Sequence, residues 1–336
     1  MGAYILRRIL IAIPILVGIT IVSFVALSLA PGDPLLARLE PAQLAVLQSH
    51  PEQLAARRHE LGLDQPVFPW FVDGAPVPGR YLTWLSGAIQ GDFGYSIQSH
   101  RPIAEEVTKR IPPTLALMGF AILLAIFVGV PAGVLSALRQ YSRLDYSLTT
   151  ATMLMTSTPT FVLGLASIYI FAVWIRILPT SGIQTLGKPF NIPDFFLHLI
   201  LPGMVLGLSS AAPLMRYTRA SMLDVLNSEY VVTARSKGLA PRTVVIRHAF
   251  RNSLIPIITV IGLLLPELVG GAVITEQIFA WPGMGQMAVR AASDRDTALM
   301  MGVVLVVGVA VLFTNILVDV LYAVVDPRIR FERRTG

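Results

Sequence analysis

The chain has 336 residues, 54% of them hydrophobic and only 14% charged, and its mean hydropathy is +0.68. Soluble domains carry about 25% charged residues, so this composition excludes a water-soluble globular fold and points to several membrane spans. The 26 basic and 20 acidic residues leave a net charge of +6, and the lack of cysteine excludes disulfides, Cys-ligated zinc and iron–sulfur clusters. The five histidines are scattered, with no H-x-x-x-H ligand pair.

Residues 9–32 are the first uncharged run long enough to cross a bilayer, which takes about 20 apolar residues. The run follows Arg7 and Arg8, as a secretory signal would. Its apolar core is too long for one, and Ser28-Leu-Ala30 before Pro31 is a poor cleavage site, so an uncleaved helix is expected. Pro31-Gly-Asp-Pro34 ends it, because proline lacks the amide donor and fixes φ. Residues 33–110 are too polar to span. Within them, 52–61 reads as an amphipathic helix broken by Gly62, and 68–80, rich in Pro and Gly, as a loop. Residues 81–89 resume helical spacing, with Leu82, Trp84 and Leu85 able to dock at an interface, and Gly91-Asp-Phe-Gly94 is a turn. This region is either a packed cap or a docking surface for an external partner.

Further uncharged runs occupy 111–138, 146–175, 195–215 and 297–318, and a run at 253–275 is interrupted only by Glu267. The count predicts six transmembrane helices. The runs at 111–138 and 146–175 exceed bilayer thickness, which predicts tilt or interfacial ends. With a cytosolic N-terminus, the inner segments hold fifteen of the 26 basic residues against five of the 20 acids. That bias fits the positive-inside rule. The expected architecture is an all-α membrane protein with both termini cytosolic. It has a first helix within 1–32, an external region over 33–110, a five-helix core over 111–325 containing a cytosolic loop at 217–253, and a tail over 326–336. The isoelectric point near 9.8 then reflects topology and anionic lipid contact rather than nucleic-acid binding.

The loop between the fourth and fifth spans is basic and polar between two apolar runs. Residues 221–237 place Leu223, Leu226, Tyr230, Val231 and Ala234 at near-helical spacing. Gly238 suits the position just past a helix C-terminus, where φ > 0 is tolerated. Pro241 suits the first position of a second helix, whose apolar face continues through Val244, Val245 and Phe250 to Pro256. A helix-turn-helix lying against the membrane follows. The flanking spans rule against DNA binding. It is either a basic loop set by the positive-inside bias or a surface that grips another protein, with small Ala234 and Gly238 at the contact and Arg235, Lys237 and Arg242 around it. The chain has no G-x-x-x-x-G-K-[ST] phosphate loop, no G-x-S-x-G elbow and no metal-ligand helix. It is not expected to be an enzyme. A self-sufficient secondary transporter or channel is the alternative class.

Several motifs together resemble one family: Pro31-Gly-Asp-Pro34, Leu61-Gly-Leu-Asp-Gln-Pro66, Gly91-Asp-Phe-Gly-Tyr-Ser96, Thr233-Ala-Arg-Ser-Lys-Gly-Leu239, Arg247-His-Ala-Phe-Arg-Asn252, Phe279-Ala-Trp-Pro-Gly-Met-Gly285 and Asp326-Pro-Arg328. The chain resembles, over nearly its whole length, the B-type permease subunit of binding-protein-dependent ABC importers of the dipeptide/oligopeptide/nickel class. The wider superfamily pattern is E-A-A, three residues, Gly, nine residues, I-x-L-P. Here Val232-Thr-Ala234 takes the first slot, Gly238 matches, and His248-Ala-Phe-Arg251 replaces the last, as is typical of the peptide branch.

The resemblance implies half of a translocation pathway. It also implies a homologous second permease subunit, two ATPase subunits that hold ATP and Mg, an external substrate-binding protein and no cofactor in this chain. It implies ATPase coupling through Glu229, Tyr230, Thr233, Ala234, Arg235, Lys237, Gly238, Leu239, Arg247, His248, Arg251 and Asn252, with Ala234 and Gly238 in closest contact. Pathway or gate candidates are Glu267, Glu276, Phe279, Trp281, Pro282 and Gly283. A charge at Glu267 costs several kcal/mol unless paired or facing water. It either meets the peptide amino terminus or a basic side chain, or pairs with a partner subunit or sits in an outer vestibule. The Phe279–Gly285 stretch forms an external gate, a re-entrant scoop, or an interfacial anchor through Trp281 alone. Arg216 and Arg219 mark the cytosolic boundary, and Asp319 reads as a helix-end acid. Residues 69–79 form an extra loop relative to the family spacing, expected to touch the binding protein or the second permease. Within the class the cargo is a peptide, with glutathione, opines or chelated nickel as alternatives.

Overall fold

A computed structural model describes residues 2–29, 50–60, 64–68, 70–72, 75–77 and 79–325. The expectations for Pro31–Pro34, for 61–63 and for the tail over 326–336 lie outside the described residues. The described chain is helical apart from one short hairpin and connecting turns. The elements are α1 (Gly2–Leu29), α2 (Pro51–Glu60), β1 (Trp70–Val72), β2 (Ala75–Val77), α3 (Gly79–Ile89), α4 (Ile103–Leu138), α5 (Arg143–Ser157) and α6 (Thr160–Ser167). Then come α7 (Ile192–Leu226), α8 (Glu229–Ser236), α9 (helical from Pro241 to Ile278), α10 (Met284–Ser293) and α11 (Thr297–Val325). Helix α6 runs on as a π-helical turn over Ile168–Trp174, and α9 contains another over Val244–Phe250.

Among the described residues, five helices are long and apolar enough to cross a membrane, and the bent pair α5–α6 brings the number to six if it forms one span. The expected single helix over 146–175 is therefore corrected. It breaks by 103° between Ser157 and Thr160. The cause is Pro159, which pushes the residue before it out of the helical region; Thr158 sits at φ −92°, ψ 125°. Residues 68–80, read as loop, contain the antiparallel hairpin, with Trp70 opposite Val77 and Val72 opposite Ala75.

The chain divides into two compact units, one of residues 2–111 with 287–310, the other of 112–286 with the chain from Val311 onward. In the first, Tyr81 on α3 is buried, bonds Thr20 of α1 hydroxyl to hydroxyl at 3.0 Å and meets Phe24 edge-on at 5.5 Å. Asp296 accepts from Ser96 Oγ at 2.7 Å and from the Leu299 N–H at 3.1 Å, capping α11.

The second unit is built on α4, α7 and α9. Small residues let these helices approach closely, as membrane helix pairs require. A Cβ on Gly129 would lie 2.8 Å from the Ala211 carbonyl oxygen, and one on Gly207 would lie 2.9 Å from that of Ala121. Between them Leu117, Ala121, Leu199, Leu206, Ala272 and Trp281 form one buried cluster, and Ala125, Leu214, Ile257 and Leu264 contribute to the next. Helix α7 has 35 residues, about 52 Å at 1.5 Å per residue. The hydrocarbon core is about 30 Å thick. The helix thus outruns the expected span over 195–215 and continues through Arg216 and Arg219 to Leu226.

Candidate functional site

Two sites flank α9 within the second unit. The first lies where α7 hands over to α9. The expected helix over 221–237 is interrupted. Asn227 ends α7, and Ser228, extended at φ −74°, ψ 147°, starts α8. The Ser228 hydroxyl turns back to the Val225 carbonyl at 2.6 Å. Gly238 has φ +77°, so it occupies the left-handed region that favours glycine. There the Gly238 N–H reaches the Arg235 carbonyl at 2.9 Å and the Leu239 N–H reaches the Ala234 carbonyl at 3.4 Å. This bond pair is a Schellman C-cap. Pro241 then opens α9 at its first position.

Helix α8 buries one edge only. Val231 and Ala234, three apart, pack with Val244. Ala234 is 6% exposed, which corrects its expected place at an outer contact; the small residue on the outside is Gly238. The outer face carries Glu229, Val232, Thr233, Arg235 and Lys237, followed by Leu239. Thr233 bonds the Glu229 carbonyl at 2.9 Å, an in-helix bond that leaves the face unchanged. On α9, Arg247, Arg251 and Asn252 are exposed and His248 is half-buried. Asn252 Nδ2 donates to the Tyr230 hydroxyl at 3.1 Å and to the His248 carbonyl at 2.8 Å, so it staples α8 to α9. Of the twelve expected coupling residues, eleven are exposed or half-exposed and Ala234 is buried.

The second site is the turn after α9. Glu276, Phe279 and Trp281 are fully enclosed, at 0%, 1% and 0% exposure. The Glu276 carboxylate accepts from Thr114 Oγ1 at 2.7 Å and from the Gln286 N–H at 2.9 Å. Thr114 Oγ1 also accepts the Met284 N–H at 2.8 Å. Glu276 and Thr114 therefore satisfy amides in the first turn of α10, which have no partner within their own helix, and the negative charge suits that end of the helix. Trp281 Nε1 donates to the Pro113 carbonyl at 2.9 Å, and its ring lies 5.6 Å from that of Phe195. The Phe279 carbonyl accepts from the Gly182 N–H at 2.8 Å. Gly283 sits against Glu276 and Thr114 with no room for a Cβ, and Pro282 is half-buried. Among the pathway candidates, Glu276, Phe279, Trp281 and Gly283 are packed inside this unit and present no open face to a cargo. Glu267 lies on α9 directly after Pro266; its side chain lies outside the described residues.

One constellation was missed. Asp145 on α5 is 2% exposed and receives both Arg219 Nε and Nη2, at 2.7 and 2.8 Å. The Ser136 hydroxyl and the Tyr141 N–H complete its shell. Sequence reading placed Arg219 at a membrane boundary and counted Asp145 only as an inner acid. Nothing local pairs residues 74 positions apart.

Residues 129–331 match the family described as binding-protein-dependent transport system inner membrane component, and residues 1–118 match its N-terminal family. The chain is 43% identical to the oligopeptide transport system permease protein AppB of Bacillus subtilis (strain 168), covering 98% of this chain and 100% of that one. It is 36% identical to the dipeptide transport system permease protein DppB of Escherichia coli (strain K12), covering 98% and 99%. It is 35% identical to the glutathione transport system permease protein GsiC of Escherichia coli O1:K1 / APEC, covering 98% and 99%. A solved structure of the MetNI methionine ABC transporter in an inward-facing conformation shares the fold with TM-score 0.55 at 17% identity, covering 66% of this chain and 96% of that one.

Proposed function

The chain belongs to the binding-protein-dependent transport system inner membrane components, and we propose that it forms half of the translocation pathway of an ATP-driven peptide importer. It is a multi-pass membrane permease subunit of the oligopeptide/dipeptide class, and it works with ATPase and substrate-binding partners. In this proposal the partners are a homologous second permease, two ATPase subunits that hold ATP and Mg, and an external binding protein that delivers the peptide. Both termini face the cytosol.

The observation that carries the reading is the α8–Gly238–α9 segment. Helix α7 outruns the bilayer, and α8 then turns back on a glycine-capped corner with Arg235 and Lys237 outward. That is the shape and charge of a surface meant to be gripped. A push on α8 reaches α9 through the Val231–Ala234–Val244 contact and the Asn252–Tyr230 bond. ATPase closure would thereby act on the two long helices that line the core of this unit. Transport needs two arrangements of the bundle, each favoured by a different set of partner contacts.

The test is reconstitution of the chain with its second permease, ATPases and binding protein in proteoliposomes. Reversal of Arg235 and Lys237 to Glu alters exposed surface charge only, so melting temperature should hold, since such changes stay within about 0.5 kcal/mol. ATPase association and peptide uptake should both fall, by about tenfold or more. Uptake that persists without ATPase subunits, driven by a proton gradient, would overturn the reading. Competition among dipeptides, longer peptides and glutathione would then fix the cargo.

A further inference from the structure

The Asp145 carboxylate gathers three pieces of chain. Ser136 belongs to the last turns of α4, Tyr141 to the connecting turn, and Asp145 itself to the first turn of α5. Arg219 adds α7 through a two-toothed guanidinium grip at 2.7 and 2.8 Å. Such pairs fix orientation as well as proximity. Beside them the helices touch directly: a Cβ on Gly133 would lie 2.6 Å from both the Met215 carbonyl and Thr218 Cβ. Thr218 is completely buried with its hydroxyl unpartnered.

The position of the pair along α7 gives it meaning. Helix α7 contains Pro202 and Pro213; each removes one backbone hydrogen bond and marks a point at which a helix bends more easily, and Pro213 is the one nearer α8. Arg219 lies beyond Pro213, on the part of α7 that leads to Asn227 and α8. Apolar packing of Met222 and Leu226 against Ala137 holds this segment to α4 but sets no fixed orientation, so without the ion pair a force entering at α8 would still turn it at Pro213. With Arg219 bound to Asp145, the end of α7 is locked to the α4–α5 turn, and the same force moves both together.

We propose that Arg219 is a positioning residue for transport, holding the terminal segment of α7 to the α4–α5 turn through Asp145 so that motion at α8 reaches both α4 and α5. This rests on the importer reading above. A contact that only stabilised the fold would change how much transporter assembles. A force-bearing one changes how much peptide moves per ATP consumed.

The experiment uses the assembled transporter in proteoliposomes and a radiolabelled peptide first shown to be imported by the wild type. Arg219→Lys keeps the charge and loses the planar fork. It is expected to assemble normally and to hydrolyse ATP within about twofold of wild type, while importing about tenfold less peptide per ATP, in the range of ordinary coupling energies. Asp145→Asn should behave alike, and the exchange Asp145→Arg with Arg219→Asp should recover part of the ratio. Unchanged peptide per ATP in Arg219→Lys would overturn the proposal, as would uptake and hydrolysis falling in equal proportion. Wild-type uptake that ignores the ATPase subunits would remove the importer reading, and this proposal with it.

Discussion

The two ends of α9 are built on opposite principles. At its C-terminal end, the Phe279–Gly285 turn is closed on itself. Glu276, Phe279 and Trp281 are enclosed, and the Glu276 carboxylate and the Trp281 indole both find partners within the same unit. At its N-terminal end, α8 buries only Val231 and Ala234 and leaves Arg235, Lys237, Val232 and Leu239 outside. Buried polar groups are costly unless bonded, so the turn holds one geometry. Exposed charges lie there beside exposed aliphatic side chains, a composition that suits the proposed ATPase contact. At this second end Val244, Ala249 and Ser253 of α9 are themselves buried, and it is the outer side of α8 that stays open. In the importer proposed above, α9 would be anchored at the first end and driven, through α8, at the second.

The strongest way to break this comparison is to loosen the fixed end. Trp281→Ala empties a completely buried site and removes the bond to the Pro113 carbonyl. The cost expected for such a truncation is about 3–5 kcal/mol. A fall of many degrees in the melting temperature of the purified transporter would register it. A small change would mean the turn is not the anchor. Glu276 sharpens the same point at lower amplitude. Glu276→Ala removes the carboxylate acceptor from the Gln286 amide and from the Thr114 hydroxyl, at roughly 1–3 kcal/mol. Glu276→Gln keeps one acceptor oxygen and should lose less. If the glutamine variant instead matches wild type in stability yet fails in transport, the carboxylate charge itself serves the cargo, and the gate expectation returns.

Much of this was legible in the residues, and the rest was hidden for identifiable reasons. The spans announce themselves as long uncharged runs, and Gly238 with Pro241 predicts a helix–corner–helix because both act through local φ preferences. Hydropathy misplaced the end of α7. Arg216, Arg219 and Asp224 end the apolar run, yet the helix continues to Leu226, because charge marks where a membrane stops rather than where a helix does. The bend at Thr158–Pro159 was written in the X-Pro pair, but a 30-residue apolar run outweighed it in the reading. The contacts that hold the two sites were invisible: Glu276 meets Thr114 across 162 residues, Trp281 meets Pro113 across 168, and Arg219 meets Asp145 across 74. Sequence periodicity describes which face of a helix is apolar, not which helix it will meet. Ala234 shows the same limit. Its small size suggested an outer contact, whereas the i, i+3 pairing with Val231 turns it inward.

The driven end yields the smallest effect and the finest discrimination. Gly238 has φ +77°, and a Cβ there would meet nothing within 4 Å. Gly238→Ala therefore introduces backbone strain alone, about 1 kcal/mol, with no steric clash to confuse it. The strain falls on the cap bonds from Gly238 to Arg235 and from Leu239 to Ala234. Hydrogen exchange of the amides at 235–239 should speed up by about fivefold, the factor that corresponds to 1 kcal/mol of local opening. The melting temperature should stay put, because the strain falls on the cap bonds alone and leaves the packing of α4, α7 and α9 on one another untouched. ATPase association should weaken, because the corner sets the angle at which Arg235 and Lys237 are presented. If Gly238→Ala instead lowers the melting temperature as Trp281→Ala does, both ends of α9 belong to one cooperative core. The division into a fixed end and a driven end would then be lost.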